Sequence, residues 1–176
     1  MLQVIIWYRT IRRPVQSYEV IKLKIQWKRL LLCFAVPLAV GGLAALLTKD
    51  AMAQFALVRK PPLAPPGWLF PVVWTVLYLL MGYASYLVSR SKQPRKRSAL
   101  ILYGAQLFVN FFWSIFFFRL EAYWFSFFWL LLLWLLIFLT IRAFRPLSKT
   151  AAVLLLPYLA WVTFAGYLNL GIALLN

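Results

Sequence analysis

Residues Ala122–Ile141 read AYWFSFFWLLLLWLLIFLTI, twenty residues without a charge. A helix of about 20 apolar residues crosses a hydrocarbon core about 30 Å thick. Inside lipid no water pairs the backbone N–H and C=O groups, and the run is too long for a barrel strand, so a helix is the reading that remains. Four more uncharged stretches flank it. Ser98–Phe118, Pro61–Ser89 and Leu30–Thr48 precede it, and Thr150–Asn176 follows. The second of the five in chain order opens with a Pro-rich loop, which moves its helix start to about Gly67 or Trp68. The sequence therefore predicts an all-α membrane protein, a five-transmembrane-helix bundle with helices at about 30–48, 67–89, 98–118, 122–142 and 150–174. Pro37, inside the first, is expected to kink it, and Pro157 to bend the first turns of the fifth.

Composition agrees. Charged residues make up 12 % of the 176-residue chain and apolar ones 65 %, against about 25 % and about half in a soluble domain. The three acids are Glu19, Asp50 and Glu121, facing 19 Lys and Arg. These cations bracket the apolar runs, the pattern of loops held against anionic headgroups rather than of a nucleic-acid-binding surface. Nucleic acid is accordingly not an expected partner; the lipid bilayer is.

Residues 1–29 form a basic N-terminal arm, expected to be disordered or to lie on the membrane surface. A signal peptide cleaved near Ala51-Met52-Ala53 is the competing idea. The apolar stretch is longer than a normal signal core, and 29 residues precede it, which argues against cleavage. Lys and Arg divide 15 to four between alternate sides of the five spans. By the positive-inside rule the N-terminus is cytoplasmic, the Pro-rich loop and C-terminus lie outside, and a bacterial plasma membrane is the expected location.

The chain has no histidine and one cysteine, Cys33. That removes the commonest metal ligand, the usual haem axial ligand and the usual general base, and it leaves no intrachain disulfide. Neither Asp50 nor Glu121 falls within a span, so no buried proton relay is visible. No catalytic residue, metal site or bound cofactor is expected.

What remains is aromatic and neutral-polar: nine Trp, nine Tyr and fifteen Phe. Indoles favour the headgroup level, which suits Trp68, Trp124 and Trp129. Trp74 and Trp161 lie a turn or more inside their helices and fit a belt less well. Tyr103, Gln106 and Asn110 share one face of the third helix, as do Trp74, Tyr78 and Met81 on the second. On the fifth, Trp161, Ala165, Leu168 and Ile172 form a stripe with Asn169 alongside. Amides in a bilayer point inward, where the plain reading is glue between helices.

These residues also carry a resemblance. Lys60-Pro61-Pro62-Leu63-Ala64-Pro65-Pro66-Gly67-Trp68, then Trp74-Thr75-Val76-Leu77-Tyr78 and Met81-Gly82, resemble the first loop and second helix of the TspO/MBR (translocator protein / tryptophan-rich sensory protein) family. Tyr103, Gln106, Asn110 and Phe116-Phe117-Phe118 are similar to its third helix, Trp124 to the tryptophan opening its fourth, and Pro157-Tyr158-Leu159-Ala160-Trp161 with Phe164, Ala165, Leu168 and Asn169 to its fifth. The likeness runs in order from about Lys60 to Asn176. Gln54-Phe55 stands where the family has Trp-Tyr, and Phe70-Pro71-Val72-Val73 shifts a proline by one.

The resemblance implies a dimeric five-helix bundle with a pocket under the first loop. It implies porphyrins (haem among them), sterols or benzodiazepine-type molecules as ligands, with sterols the weaker inheritance because the family's basic sterol-motif tail has no counterpart here. Trp68, Phe70, Trp74, Asn110, Trp124, Trp161 and Ala165 are expected at that pocket, and Tyr78, Tyr103, Gln106 and Asn169 in a supporting polar network. The expected function is a membrane receptor or sensor that binds porphyrins and related hydrophobic ligands, with their transport or promoted breakdown as further roles. The alternative is a stability or assembly factor with no small-molecule ligand. Enzymatic breakdown would have to run on tryptophan photochemistry or radicals.

Overall fold

The computed structural model describes residues 25–176. Residues 1–24 of the expected arm lie outside the described residues. Its last three, Trp27 to Arg29, form the first turn of α1 (Trp27–Thr48). The helix begins before the apolar run because its backbone hydrogen bonds continue into the headgroup layer, where Lys28 and Arg29 reach water.

After α1 come a short α2 (Ala51–Leu57), the Pro-rich loop, α3 (Leu69–Ser89) and α4 (Lys96–Ser114). The chain continues through a π-helical turn, Ile115–Arg119, into α5 (Tyr123–Phe144), α6 (Lys149–Leu154) and α7 (Leu156–Leu175). Five of these segments are long and apolar enough to cross a membrane: α1, α3, α4 with its π turn, α5, and α6 with α7. No strand occurs among the described residues.

The fifth span is broken at Leu155, two residues before Pro157. Proline has no N–H to give the carbonyl four residues back, so the ladder lapses there. Leu155 N–H turns to Ala152 O at 3.3 Å instead. Pro37, by contrast, is absorbed within α1, where it is buried.

The helices form a closed circuit. α1 packs on α3 and α4, α4 on α5, α5 on α7, and α6 returns to α3. One crossing needs a missing side chain: a Cβ on Gly82 of α3 would lie 2.7 Å from the Phe34 ring and 2.9 Å from Cys33 O of α1. α1 is the least enclosed span, burying only Pro37, Ala44 and Thr48. Large apolar side chains such as Leu31, Leu46, Phe128 and Leu174 point outward. In water that surface would be a liability; here lipid is the solvent.

The Pro-rich loop is strapped to α7. Tyr167 Oη–H donates to Pro62 O at 2.7 Å. Asn176 accepts from Arg59 N–H at 3.1 Å and donates Nδ2–H to Arg59 O at 3.0 Å. Pro61 sits on Gly171, where a Cβ would come within 2.6 Å of it.

Candidate functional site

The inner face of α4 carries Tyr103, Gln106, Asn110 and Trp113, continued by Phe117 of the π turn, all buried. The π turn then widens the helix by one residue per turn. As a result two neighbours, Phe117 and Phe118, both reach Phe55 of α2, with ring centroids at 5.7 and 5.1 Å.

Two polar clusters tie this face to its surroundings. In the first, Tyr78 Oη–H donates to Asn110 Oδ1 at 3.2 Å, Asn110 Nδ2–H to Tyr158 Oη at 2.7 Å, and Tyr158 Oη–H to Gln106 Oε1 at 2.9 Å. The directions are consistent, each hydroxyl giving its single proton once. In the second, Trp113 Nε1–H donates to Asn169 Oδ1 at 3.2 Å, and Asn169 Nδ2–H to Tyr123 O at 2.8 Å. Ser126 Oγ lies 3.1 Å from Asn169 Oδ1. The first cluster joins α3, α4 and α7; the second joins α4, α5 and α7.

Tyr103 does not enter either cluster. Its hydroxyl is buried without a partner, and its ring packs near Phe144 at 5.9 Å. Trp161 Nε1 is the other buried atom without a partner among the described residues.

Aromatic rings form the wall next to the first cluster. Trp74 stacks on Tyr78 at 5.5 Å and lies 6.4 Å from Trp113 and 6.0 Å from Tyr158. Opposite this wall, α1 presents Gly41, Gly42, Ala44 and Ala45, and between them is a cleft of about 400 Å³. Small residues on α1 and large ones on α3 and α4 leave that space open. Under the Pro-rich loop a second cavity, bordered by Phe55, Ala165 and Asn169, measures about 20 Å³. Phe70, Trp113 and Phe118 border both, so three rings form the partition between them. A third hollow of about 520 Å³ runs along the outside of α3 and α7, beside Val76 and Trp161.

The expected site residues are thus dispersed. Phe70, Trp74 and Tyr78 line the cleft. Ala165 borders the small cavity under the loop. Trp161 packs edge-on against Phe70 at 5.9 Å and faces the outer hollow. Asn110 is fully buried, with its amide engaged by two tyrosines. Trp68 and Trp124 are 67 % and 51 % exposed and border none of these spaces. Trp124 is the second residue of α5; Tyr123, one position earlier and about 100° round the helix, is the one that packs on Phe117, at 5.5 Å.

Trp113 and Tyr158 are hubs that the sequence analysis did not assign to the site. Trp113 extends the Gln106, Asn110 stripe by one further step of three, and Tyr158 precedes Trp161 by three on its helix. That periodicity was the available signal. Among the described residues no three His, Cys, Asp or Glu gather, so the chemistry on offer is aromatic stacking and neutral hydrogen bonding.

Five apolar spans, with an aromatic-walled cleft between α1, α3 and α4, define a multi-pass membrane protein. The sequence matches the TspO/MBR family over residues 33–175. It is 41 % identical over 150 residues to the tryptophan-rich protein TspO of Chlorobaculum tepidum, covering 84 % of this chain and 95 % of that one. It is 39 % identical over 123 residues to the translocator protein of Ovis aries, covering 68 % and 73 %. With the tryptophan-rich sensory protein of Cereibacter sphaeroides it shares 35 % over 119 residues, 68 % and 74 % of the two chains. The chain belongs to the TspO/MBR family.

Proposed function

We propose that this protein is a membrane sensor or translocator whose ligands are porphyrins and similar flat, apolar molecules, taken up from the bilayer into the α1–α3–α4 cleft. The single observation that carries the reading is the cleft itself. Its volume of about 400 Å³ falls in the range of about 300–1,000 Å³ typical of small-molecule sites. Its wall of Trp74, Tyr78 and Trp113 offers faces for a macrocycle to stack on. Its other wall belongs to α1, the least enclosed span, which favours entry from lipid over entry from water. The names of the relatives, sensory and translocator proteins, agree with such a role.

The same reading has the protein in a bacterial plasma membrane as a homodimer, with the N-terminus and the 90–97 loop in the cytoplasm. Support for the orientation is the 15-to-four division of cations. In a background with Cys33 replaced, a cysteine placed in 90–97 should label only from the cytoplasmic side.

The second reading, a stability or assembly factor with no ligand, is favoured by the cavity under the loop, too small at about 20 Å³ for anything but a water. One titration separates the two. Protoporphyrin IX is added to purified protein in nanodiscs, following the porphyrin's own absorbance. Saturable binding that Ala45→Phe weakens at least tenfold, by filling the cleft, supports the proposal. Binding lost with Ala165→Phe but kept with Ala45→Phe moves the site under the loop. Uptake equal to that of empty nanodiscs leaves the assembly factor.

A further inference from the structure

The end of the bundle away from the Pro-rich loop carries ten cations and no acid among the described residues. They are Lys28 and Arg29 on α1, five in the 90–97 loop, and Arg142, Arg145 and Lys149. Both described acids, Asp50 and Glu121, are at the other end. Two of the ten are drawn to neighbouring positions on one helix terminus. Arg29 Nη1–H reaches Ser89 O at 3.5 Å. Arg90, the next residue, lies over the Tyr86 ring at 5.6 Å with Nη1 3.5 Å from its hydroxyl. The same hydroxyl accepts Gln26 N–H at 3.2 Å, which fixes the start of α1 beside it. Across the surface, Gln93 Nε2–H donates to Pro146 O at 3.2 Å and joins the 90–97 loop to the turn holding Arg145.

Three cationic segments are therefore bound into one surface through neutral groups. The negative ends of α3 and α5 each offset about half a charge there, while α1, α4 and α6 begin at this end and add positive potential. Like charges brought together without a counter-ion repel. Farther into the span on the same helix, Leu31 and Leu32 are exposed, so an anion seated here has room for acyl chains beneath it.

We propose that this surface is a binding site for an anionic phospholipid with a two-phosphate headgroup of the cardiolipin type. One phosphate is held between Arg29 and Arg90 and the other by the joined 92–97 and 145–149 turns. A single phosphate leaves one of the two cationic groups uncompensated. This inference does not depend on what fills the cleft.

The test uses the full chain in detergent, with lipid retention read by native mass spectrometry and stability by the melting shift. Cardiolipin, phosphatidylglycerol and phosphatidylcholine with the same acyl chains are compared, with inorganic phosphate and polyglutamate as lipid-free anions. Cardiolipin should be retained at least tenfold over phosphatidylcholine and more tightly than phosphatidylglycerol. Arg29→Gln with Arg90→Gln should weaken it by roughly fivefold per residue, and Lys49→Gln at the other end should not. Should that double variant fail to fold, Lys92→Gln with Arg145→Gln, both exposed, carries the same comparison. Equal retention of cardiolipin and phosphatidylcholine, or variants that behave as the parent, would overturn the site. An equal shift with phosphate or polyglutamate alone would overturn its assignment to a lipid.

Discussion

Asn110 on α4 and Tyr158 on α7 meet at 2.7 Å, amide nitrogen to phenol oxygen, with neither side chain exposed. Tyr158 Oη–H donates in turn to Gln106 Oε1, so one hydroxyl serves two buried amides. Tyr158→Phe should therefore leave Asn110 Nδ2–H and Gln106 Oε1 unpaired and cost about 1–3 kcal/mol of stability. Tyr78→Phe removes a single donor, leaves Asn110 its bond to Tyr158, and should cost about 0.6 kcal/mol, near the membrane average. Unfolding of the purified variants in detergent checks the order; a Tyr78→Phe loss as large as that of Tyr158→Phe would mean the hub is misplaced.

Trp74 stands in the wall of the cleft, whereas Trp68 and Trp124 lie outside it. Removing Trp74 by substitution to Leu should weaken protoporphyrin IX binding by about 1–3 kcal/mol, a factor of roughly five to 150. Trp68→Phe, Trp124→Phe, Trp129→Phe and Trp134→Phe should leave the dissociation constant within about twofold. Equal losses across all of them would show that the tryptophans only support the bundle.

Gly82 and Gly104 are opposites. A side chain at Gly82 meets Phe34 and Cys33 of α1, while one at Gly104 meets nothing within 4 Å. Gly82→Leu should destabilise the fold by about 1–3 kcal/mol through overpacking. Gly104→Leu should leave thermal stability unchanged. Gly104 lies between the exposed Ile101 and Phe108 on α4, a surface on which a second copy can approach closely, so the same variant should shift dimer toward monomer in light scattering. An unchanged dimer would redirect attention to the outer face of another span.

The strap over the small cavity is held by exposed hydrogen bonds from Tyr167 and Asn176. Each contributes about 0.5–1.5 kcal/mol. Tyr167→Phe with Asn176→Ala should speed tryptic cutting at Arg59 and Lys60 several-fold, through more frequent local opening. If ligands enter from the bilayer through the cleft, the porphyrin association rate should hardly change. A large rise in that rate would make the loop, not the cleft, the gate.

The sequence by itself determined the five spans and the class of protein, because both follow from local properties of the chain. An uncharged run of twenty residues has one way to satisfy its backbone in lipid, whatever its neighbours do. The motifs from Lys60 onward carried the family for the same reason, being contiguous in the chain. Inward faces were legible too where a stripe repeated at helical spacing, as for Gln106, Asn110 and Asn169. What only the tertiary structure decided is which rings meet and where space remains. Tyr158 and Asn110 are 48 residues apart, and no local pattern states that their helices bring them to hydrogen-bonding distance. Trp124 looked like a pocket residue by motif, yet its position one step after Tyr123 turns it outward. The partition of Phe70, Trp113 and Phe118 exists because a π turn adds a residue to α4 and because α1 offers glycine and alanine opposite. A cavity is the difference between volumes supplied by several helices, so it has no signature in any one of them.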